Sequence, residues 1–221
     1  MKVLVVAPHM DDEALGVGGT IARHVKGGDD VHVCCVAHRV YNHQYDEKKN
    51  RVEIQCAQQA QAVLGYKELR FLNLPDERLD VCLQDIIIPL EGYLKEAQPE
   101  VVYINHRGDN NQDHRAVFQA AMVALRPASN PGIRRILCYE TPSSTDQAPA
   151  LPETAFLPNS YINIESYLEK KIAAWRCYQT EMRAFPHPRS ELAVNLLAQR
   201  RGIESGFSAA EAFVVLRDRW L

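Results

Sequence analysis

The sequence predicts an α/β fold, with a Rossmann-like, doubly wound and mostly parallel sheet flanked by helices. Apolar runs of strand length alternate with amphipathic segments of helical length along most of the chain, which is the rhythm of right-handed βαβ units. The first run, Lys2 to Ala7, is almost unbroken and rich in β-branched residues, as in strands buried on both faces. Because ligand crevices of open α/β sheets lie outside the C-terminal strand ends, we expect the active site at that edge.

Strand candidates in the first half of the chain are apolar runs, and helix candidates are segments whose apolar residues recur every three to four positions. In chain order these are strand 2–7, helix 14–26, strand 31–37, helix 51–64, strand 68–74 and helix 83–97. Gly27-Gly28 and Gly65 directly follow the first two helices, and glycine is favoured where helices end. Each strand is therefore followed by a helix, as βαβ units require.

The second half continues this pattern and then becomes less regular. It contains strand 101–104, helix 113–125, strand 134–140, a short strand 161–164, helix 167–182, helix 190–200 and a final apolar segment 209–217 that is a strand or a core segment. The Pro- and Ala-rich stretch after Gln147 is an irregular excursion rather than a domain linker. We therefore expect one domain over residues 1–221, a length that supports a single substantial core.

Composition and charge argue against several classes of partner. The 221 residues are 46% hydrophobic and 24% charged, with a net charge of −3, so no basic field would attract nucleic acid. No apolar run reaches membrane-spanning length, and the first run has the character of a core strand rather than of a signal segment. The six cysteines show neither metal-type spacing nor disulfide-scaffold density. We expect a soluble, cytoplasmic protein with free thiols that binds neither nucleic acid nor membrane.

Two polar clusters follow apolar strands. His9, Asp11 and Asp12 come directly after the first strand, and a second cluster, residues 105–115, follows strand 101–104. Imidazole and carboxylate groups together suit a hard or borderline metal ion. Asp11 and Asp12 also suit a simpler role, because aspartate at a helix start caps free N–H groups. If the two strands are neighbours in one sheet, the two clusters converge on one point.

Three glycines in the first helix raise the question of a dinucleotide site. Gly16, Gly18 and Gly19 fall inside the helical segment, where they would not form the strand-to-helix turn that cradles a pyrophosphate. We interpret them as positions of close packing between the helix and the sheet.

Three short stretches carry a two-part signature. They are Pro8-His9-Met10-Asp11-Asp12-Glu13, then Gly16-Val17-Gly18-Gly19-Thr20, and later Asp113-His114-Arg115. On these residues the sequence resembles the LmbE/PIG-L superfamily of zinc-dependent N-deacetylases, which act on N-acetylglucosamine conjugates, over nearly its whole length. Met10 replaces the commoner proline, and Asn111 stands where several members carry a second His before the metal-binding one.

The resemblance implies a metal centre. His9, Asp12 and His114 would bind Zn²⁺, or another divalent transition metal, and Asp11 would be the catalytic general base. Catalytic zinc sites commonly combine three protein ligands with one open position for water. Asp113, beside a ligand, is expected to orient an imidazole or to close a loop.

The resemblance also implies that Asp76, after strand 68–74, binds sugar hydroxyls, although Pro75-Asp76 is an ordinary turn pair as well. Asn111 can bind an oxyanion or a substrate group, but an amide cannot act as a general acid. Arg51 would bind a substrate hydroxyl or anion at the mouth of the site, or else be a solvated cation at a helix start.

Two histidines complete the substrate-binding candidates. His106 lies in the second polar cluster, and His187 stands between two prolines. Either one is a candidate acid for the leaving amine, while Asp11 alone can carry both proton transfers. His187 is equally well explained as a helix-entry turn.

The function implied by this resemblance is hydrolytic removal of an N-acetyl group from an N-acetylglucosamine-type sugar conjugate by attack of a zinc-bound water. Zinc-dependent hydratases of small unsaturated carboxylic acids share the scaffold and are the first alternative. A non-catalytic, metal-stabilised binding protein is the second. The expected partners are a small N-acetylated amino sugar and further copies of the chain, in a trimer or hexamer.

Overall fold

Seven strands form one sheet in the computed structural model, which describes residues 1–41 and 43–220. The strands are β1 (Lys2–Ala7), β2 (Asp30–His38), β3 (Val40–Tyr41), β4 (Gln44–Tyr45), β5 (Glu68–Pro75), β6 (Val101–Asn105), β7 (Arg135–Tyr139), β8 (Ser160–Asn163) and β9 (Ala210–Asp218). Strands β3 and β4 pair only with each other, as a small hairpin.

The helices are α1 (Asp12–Lys26), α2 (Glu47–Leu64), α3 (Gln84–Ala97), α4 (Gln112–Ala124), α5 (Leu168–Arg176) and α6 (Glu191–Ser205), with a short 3₁₀ helix at Glu165–Tyr167. Helices α1 to α4 connect the successive parallel strands β1, β2, β5, β6 and β7, and α5 and α6 lie between β8 and β9.

The sheet has the order β5-β2-β1-β6-β7-β9-β8. Strands β5, β2, β1, β6 and β7 are parallel, whereas β9 runs antiparallel to both β7 and β8. The predicted mostly parallel α/β fold is therefore confirmed. The final apolar segment is a strand, and its reversed direction makes the sheet mixed.

The core has two layers, one on each face of the sheet. On β1, Val3 and Val5 point into the layer formed with α1, α2 and α5, while Leu4 and Val6 point into the layer formed with α3 and α4. All four side chains are buried. The unbroken apolar run of β1 thus reflects burial on both faces.

Three predicted helix limits are wrong. Helix α2 begins at Glu47 rather than at Arg51, because the Asp46 carboxylate caps it by accepting hydrogen bonds from the next amides. Helix α6 ends at Ser205 rather than at residue 200, and Gly206, in the left-handed conformation, caps it.

Helix α5 ends at Arg176 rather than at residue 182. Beyond it, Tyr178 donates to Glu13 of α1 and Glu181 accepts from Arg189. These tertiary contacts override the local helical pattern.

The close packing predicted for the glycines is clearest at Gly16. A β carbon at this position would lie 2.2 Å from the Tyr139 ring of β7, so only glycine lets α1 approach the sheet there. Gly18 and Gly19 instead face Lys171 and Ile164. Across residues 1–41 and 43–220, no helix is both long and apolar enough to cross a membrane.

Candidate metal centre

The two polar clusters meet because the strands that precede them are neighbours. Strands β1 and β6 are parallel and directly paired, so their C-terminal ends lie side by side. His9 follows β1, Asp12 opens α1, and His114 lies in the first turn of α4. The predicted convergence is confirmed for these three residues.

Three potential metal ligands lie together in the protein interior. The Oδ2 atom of Asp12 is 3.5 Å from His9 Nδ1 and 3.3 Å from His114 Nε2, and the three side chains are at most 1% exposed. Within the part of the chain that the structure describes, Asp12 Oδ1 and His114 Nε2 have no hydrogen-bond partner. Unpartnered buried polar atoms are costly, and two imidazoles with a carboxylate are a ligand set that zinc accepts. The residues therefore fit a metal ion.

The other nitrogen of each imidazole contacts a carboxylate. His9 Nε2 lies 2.9 Å from Asp76 Oδ1 and 3.2 Å from Asp113 Oδ2. His114 Nδ1 lies 2.8 Å from Asp109 Oδ2. A carboxylate in this position keeps the ring hydrogen on the nitrogen that it contacts, here His9 Nε2 and His114 Nδ1. The other ring nitrogen is then free to bind a metal ion.

The electrostatic balance of the cluster favours a cation. Burial lowers the pKa of His9, but its hydrogen bonds with Asp113, Asp12 and Asp76 outweigh burial and raise it well above the usual value. Burial likewise opposes the charged form of His114, yet Asp12 and Asp109 raise its pKa to about 9. The carboxylates thus attract positive charge to this point, whether a proton or a metal ion carries it.

Asp109 was not among the predicted site residues. It is fully buried, and its second oxygen accepts a hydrogen bond of 2.6 Å from Thr145 Oγ1. In the sequence, one indication that Asp109 belongs to the site is that it lies five residues before His114 in the same polar cluster. The Asp109 carboxylate connects the His114 imidazole to the loop after β7.

Replacement of Asp109 by Asn is expected to lower metal affinity by about 10–100-fold, because His114 would lose the anionic partner of its Nδ1–H. Competition with a fluorescent chelator measures the dissociation constant. An exposed aspartate in the first turn of α3, Asp85, provides the control substitution Asp85→Asn. If Asp109→Asn binds metal as tightly as the wild type, Asp109 only holds the loop after β7 through Thr145 and does not support His114 as a ligand.

Asp11 occupies a strained backbone position next to the three ligands. Its φ is 122°, a value that residues with a side chain rarely adopt. Its side chain makes no capping hydrogen bond with the described first turn of α1, so the capping alternative is wrong for Asp11. Instead, the Asp11 N–H donates to Glu13 Oε2 at 3.2 Å, and Glu13 Oε1 accepts from Tyr178 at 2.6 Å.

The two oxygens of Asp11 have different surroundings. Oδ2 accepts a hydrogen bond of 3.1 Å from Arg189 Nη1, whereas Oδ1 is buried without a partner among the described residues. Burial raises the pKa of Asp11, Arg189 opposes this, and the nearby Asp12 adds to it, with a result of about 7. A cation bound by the three ligands would lower this pKa, so Asp11 would be ionised at neutral pH.

A buried cluster of two arginines and one glutamate supports Asp11, and sequence reasoning missed it. Arg189 also donates to Glu181 Oε2 at 2.8 Å and to Ser143 Oγ at 2.7 Å. Arg39 Nη2 lies 2.8 Å from Glu181 Oε1. These residues come from three distant segments without a short motif, so no local pattern indicated them.

Replacement of Arg189 by Met is expected to raise the pKa of Asp11, because Arg189 favours the charged carboxylate. If Asp11 must be ionised to act, the acid limb of the kcat/KM profile should move to higher pH. The measurement is the pH dependence of kcat/KM for the wild type and Arg189→Met. An acid limb at the same pH in both would show that Arg189 does not tune Asp11.

An open cleft lies beside the centre, where Asp76 and Asp113 contact His9 Nε2. Asp76, Asn111, Gln112 and Asp113 contribute to its lining. Asp76 is mostly buried and faces His9, so it is more than a turn residue. Although burial opposes the charged form, the hydrogen bond and charge of His9 lower the pKa of Asp76.

Comparison with known proteins decides the family. The family model described as GlcNAc-PI de-N-acetylase, PIG-L, matches residues 4–125. The chain belongs to the PIG-L family. This range includes His9, Asp12 and His114, whereas Glu181 and Arg189 lie beyond it.

Relatives of this PIG-L protein agree with the assignment. It is 32% identical over 184 residues to the uncharacterized deacetylase YaiS of Escherichia coli K12, over 80% of this chain and 90% of that protein. It is 25% identical over 200 residues to diacetylchitobiose deacetylase of Thermococcus kodakarensis, over 81% and 70%. The conserved protein TT1542 of Thermus thermophilus superposes with a TM-score of 0.81 at 24% identity, over 100% of this chain and 97% of that one, and so has the same fold.

Asp113 and Asn111 have clear local roles in this PIG-L protein. Asp113 accepts hydrogen bonds from the amides of Glu77, at 2.6 Å, and Leu79, at 3.1 Å, in addition to facing His9. It therefore both closes a loop and orients an imidazole. Asn111 caps α4, since its side-chain oxygen accepts from the Asp113 N–H at 2.8 Å.

Three predicted substrate residues are directed to other partners. Arg51 is 72% exposed and pairs with Glu47 one turn earlier on α2, as expected for a solvated cation at a helix start. His106 Nε2 donates to the Thr154 carbonyl at 3.2 Å. His187 Nδ1 accepts from the Arg189 N–H at 3.0 Å, so this ring orders the turn that carries Arg189.

Proposed function

We propose that this PIG-L protein is a metal-dependent hydrolase that removes the N-acetyl group from an N-acetylglucosamine-type sugar conjugate. The observation that carries the proposal is the buried group of His9, Asp12 and His114 next to Asp11. Two of its potential ligand atoms, Asp12 Oδ1 and His114 Nε2, have no hydrogen-bond partner among the described residues. The deacetylase names of the two sequence relatives support the reaction class.

The three ligands suit Zn²⁺, and another divalent transition metal would accept the same donors. When bound there, the ion would supply Lewis-acid chemistry, activating water and polarising the acetyl carbonyl. The chain contributes a dry, fixed ligand set, because Asp109 and Asp113 hold the two imidazoles in place.

Asp11 would accept the proton of the attacking water on Oδ1. This oxygen is the one without a protein partner among the residues described, while Arg189 holds the other oxygen. The strained backbone and the contacts from Glu13 and Arg189 fix the carboxylate before substrate arrives. The same group could then return the proton to the leaving amine.

The sugar would lie in the cleft lined by Asp76 and Asn111. A carboxylate oxygen accepts charge-assisted hydrogen bonds from sugar hydroxyls. The side-chain oxygen of Asn111 is already used in capping, which leaves its amide N–H groups for an oxyanion or a substrate oxygen.

His106 and His187 test the proposal that Asp11 carries both proton transfers. Alanine at either position is expected to keep kcat within about tenfold of the wild type, since His106 is bonded to Thr154 and His187 to Arg189. Loss of about 100-fold or more in kcat with metal retained, together with loss of the basic limb of the pH profile, would identify that histidine as the acid.

Acetate release tests the proposed reaction. Metal-loaded protein is incubated with N-acetylglucosamine, N,N′-diacetylchitobiose and a nucleotide-linked N-acetylglucosamine, and acetate is measured against protein stripped with a chelator. Metal-dependent acetate release from one of them supports the proposal. Hydration of an unsaturated carboxylic acid without acetate release would favour the hydratase alternative, and metal binding without turnover would favour a binding protein.

A further inference from the structure

Helix α1, which begins at the metal ligand Asp12, is broken at Val17. The backbone angles there are φ −136° and ψ 16°, outside the helical range. A short segment, residues 12–16, is thus separated from residues 18–26. Sharp kinks have identifiable causes, such as proline or a side chain inserted into the hydrogen-bond ladder. This segment contains no proline, although Gly16 and Gly18 flank Val17 and make a break easier to form. Two charged side chains reach the break.

The two side chains are Lys171 of α5 and Glu211 of β9. In a regular helix the Gly19 N–H would donate to the Leu15 carbonyl, four residues earlier. Here Glu211 accepts from the Gly19 N–H at 3.0 Å and from the Thr20 N–H at 2.7 Å. Lys171 Nζ donates to the Leu15 carbonyl at 2.6 Å. The two side chains therefore supply partners to both groups of that helical hydrogen bond.

These charges are buried and paired. The Lys171 and Glu211 side chains are 5% and 4% exposed, and Lys171 Nζ lies 2.5 Å from Glu211 Oε1. Carboxylate and ammonium thus satisfy each other as well as the backbone of the break. A buried ion pair contributes little net stability, because the cost of removing both charges from water offsets much of their attraction. We therefore expect its role to lie in the local structure that it fixes.

The long segment of α1, residues 18–26, packs closely against its neighbours. A β carbon at Gly18 would lie 3.2 Å from Lys171 Cγ, and one at Gly19 would lie 2.8 Å from the Ile164 side chain. Ile21 and Ala22 are buried in the core. The short segment is packed as well, since Gly16 lies against Tyr139. Closing the break at Val17 would change the angle between the two segments, and with it the direction of Asp12 relative to the rest of α1.

We propose that Lys171 and Glu211 are positioning residues for the metal centre: their ion pair maintains the break at Val17 that aims Asp12 and Asp11 at His9 and His114. The consequence of this proposal for catalysis rests on the proposed function, whereas the break itself is bridged by contacts within the chain. Among the residues that the structure describes, neither Lys171 nor Glu211 makes a hydrogen bond or ion pair with His9, Asp12 or His114, so both would act through the backbone of α1.

The test compares single and paired replacements. Lys171→Met or Glu211→Gln alone leaves the other member of the pair buried without its charged partner. If that member stays charged, the melting temperature is expected to fall by about 10 °C. The double variant Lys171→Met/Glu211→Leu removes both charges and should recover most of that loss. If the pair only stabilises the fold, function recovers with stability.

The positioning role predicts a different result for the double variant. Its zinc dissociation constant, measured by chelator competition, should be at least about tenfold weaker than that of the wild type, with kcat lowered and KM little changed. Native zinc affinity and native kcat in a stable double variant would overturn the proposal. The matched control is Arg201→Met/Glu140→Leu, which removes a second largely buried pair that makes no hydrogen bond to α1 in the described residues.

A crystal structure of the metal-free double variant separates this inference from the proposed function. Helical angles at Val17, with a Gly19-to-Leu15 hydrogen bond, would support the inference even if no deacetylase activity were found. A break retained at Val17 with Asp12 in place would overturn it. If the double variant fails to fold, Glu211→Gln, assayed below its melting temperature, should still show weakened zinc binding; native affinity there would also contradict the proposal.

Discussion

Alanine at His9, Asp12 or His114 is expected to abolish stoichiometric metal binding and, with it, nearly all turnover. Each substitution removes one of three ligands. Because the site is buried, no side chain from the protein surface can take the place of the missing ligand. Elemental analysis of the purified variants measures metal content, and acetate release measures turnover. His32, near the opposite end of the sheet, where it pairs with Leu4 of β1, provides the control His32→Ala.

Added metal should raise the melting temperature of the wild type but not that of the three variants. A ligand that binds only the native state raises its stability with the logarithm of the free ligand concentration relative to the dissociation constant. Full metal retention in all three variants would contradict the ligand assignment, whatever their activity.

Asp11→Asn is expected to leave metal bound and to lower kcat by about 10²–10⁴-fold, the usual contribution of a positioned general base. Asparagine keeps the size of the side chain and can still interact with Arg189, but it cannot accept a proton near neutral pH. Elemental analysis and steady-state kinetics on the same preparation test both parts of this expectation.

The control for this variant is Asp85→Asn, at an exposed position on α3. Loss of metal in Asp11→Asn would mean that Asp11 is a ligand or that the strained turn has relaxed. If turnover is retained, Asp11 is not the general base, and His106 and His187 become the candidates for proton transfer.

The fold was largely predictable because its signals are local. The β-branched run of β1 and the glycines after α1 and α2 indicate their elements without knowledge of the rest of the chain. The antiparallel direction of β9 was not predictable, since a strand's composition does not specify the direction of its partner. The early end of α5 depends on what Tyr178 and Glu181 contact across the structure.

The site was predictable in part for the same reason. His9 and His114 follow neighbouring parallel strands, so topology alone brings them together. Arg189 and Glu181 come from the C-terminal third and reach Asp11 only in the folded chain. Lys171 and Glu211 resemble ordinary surface charges in the sequence, and only their burial against α1 reveals their role.

Anomalous diffraction from a zinc-soaked crystal, recorded on both sides of the zinc edge, tests the central claim most directly. The account predicts one strong peak about 2.0–2.2 Å from His9 Nδ1, an Asp12 carboxylate oxygen and His114 Nε2. His9, Asp76 and Asp113 also lie close enough to hold an ion on the other side of the His9 ring. A peak there, with none between His9, Asp12 and His114, would contradict the account.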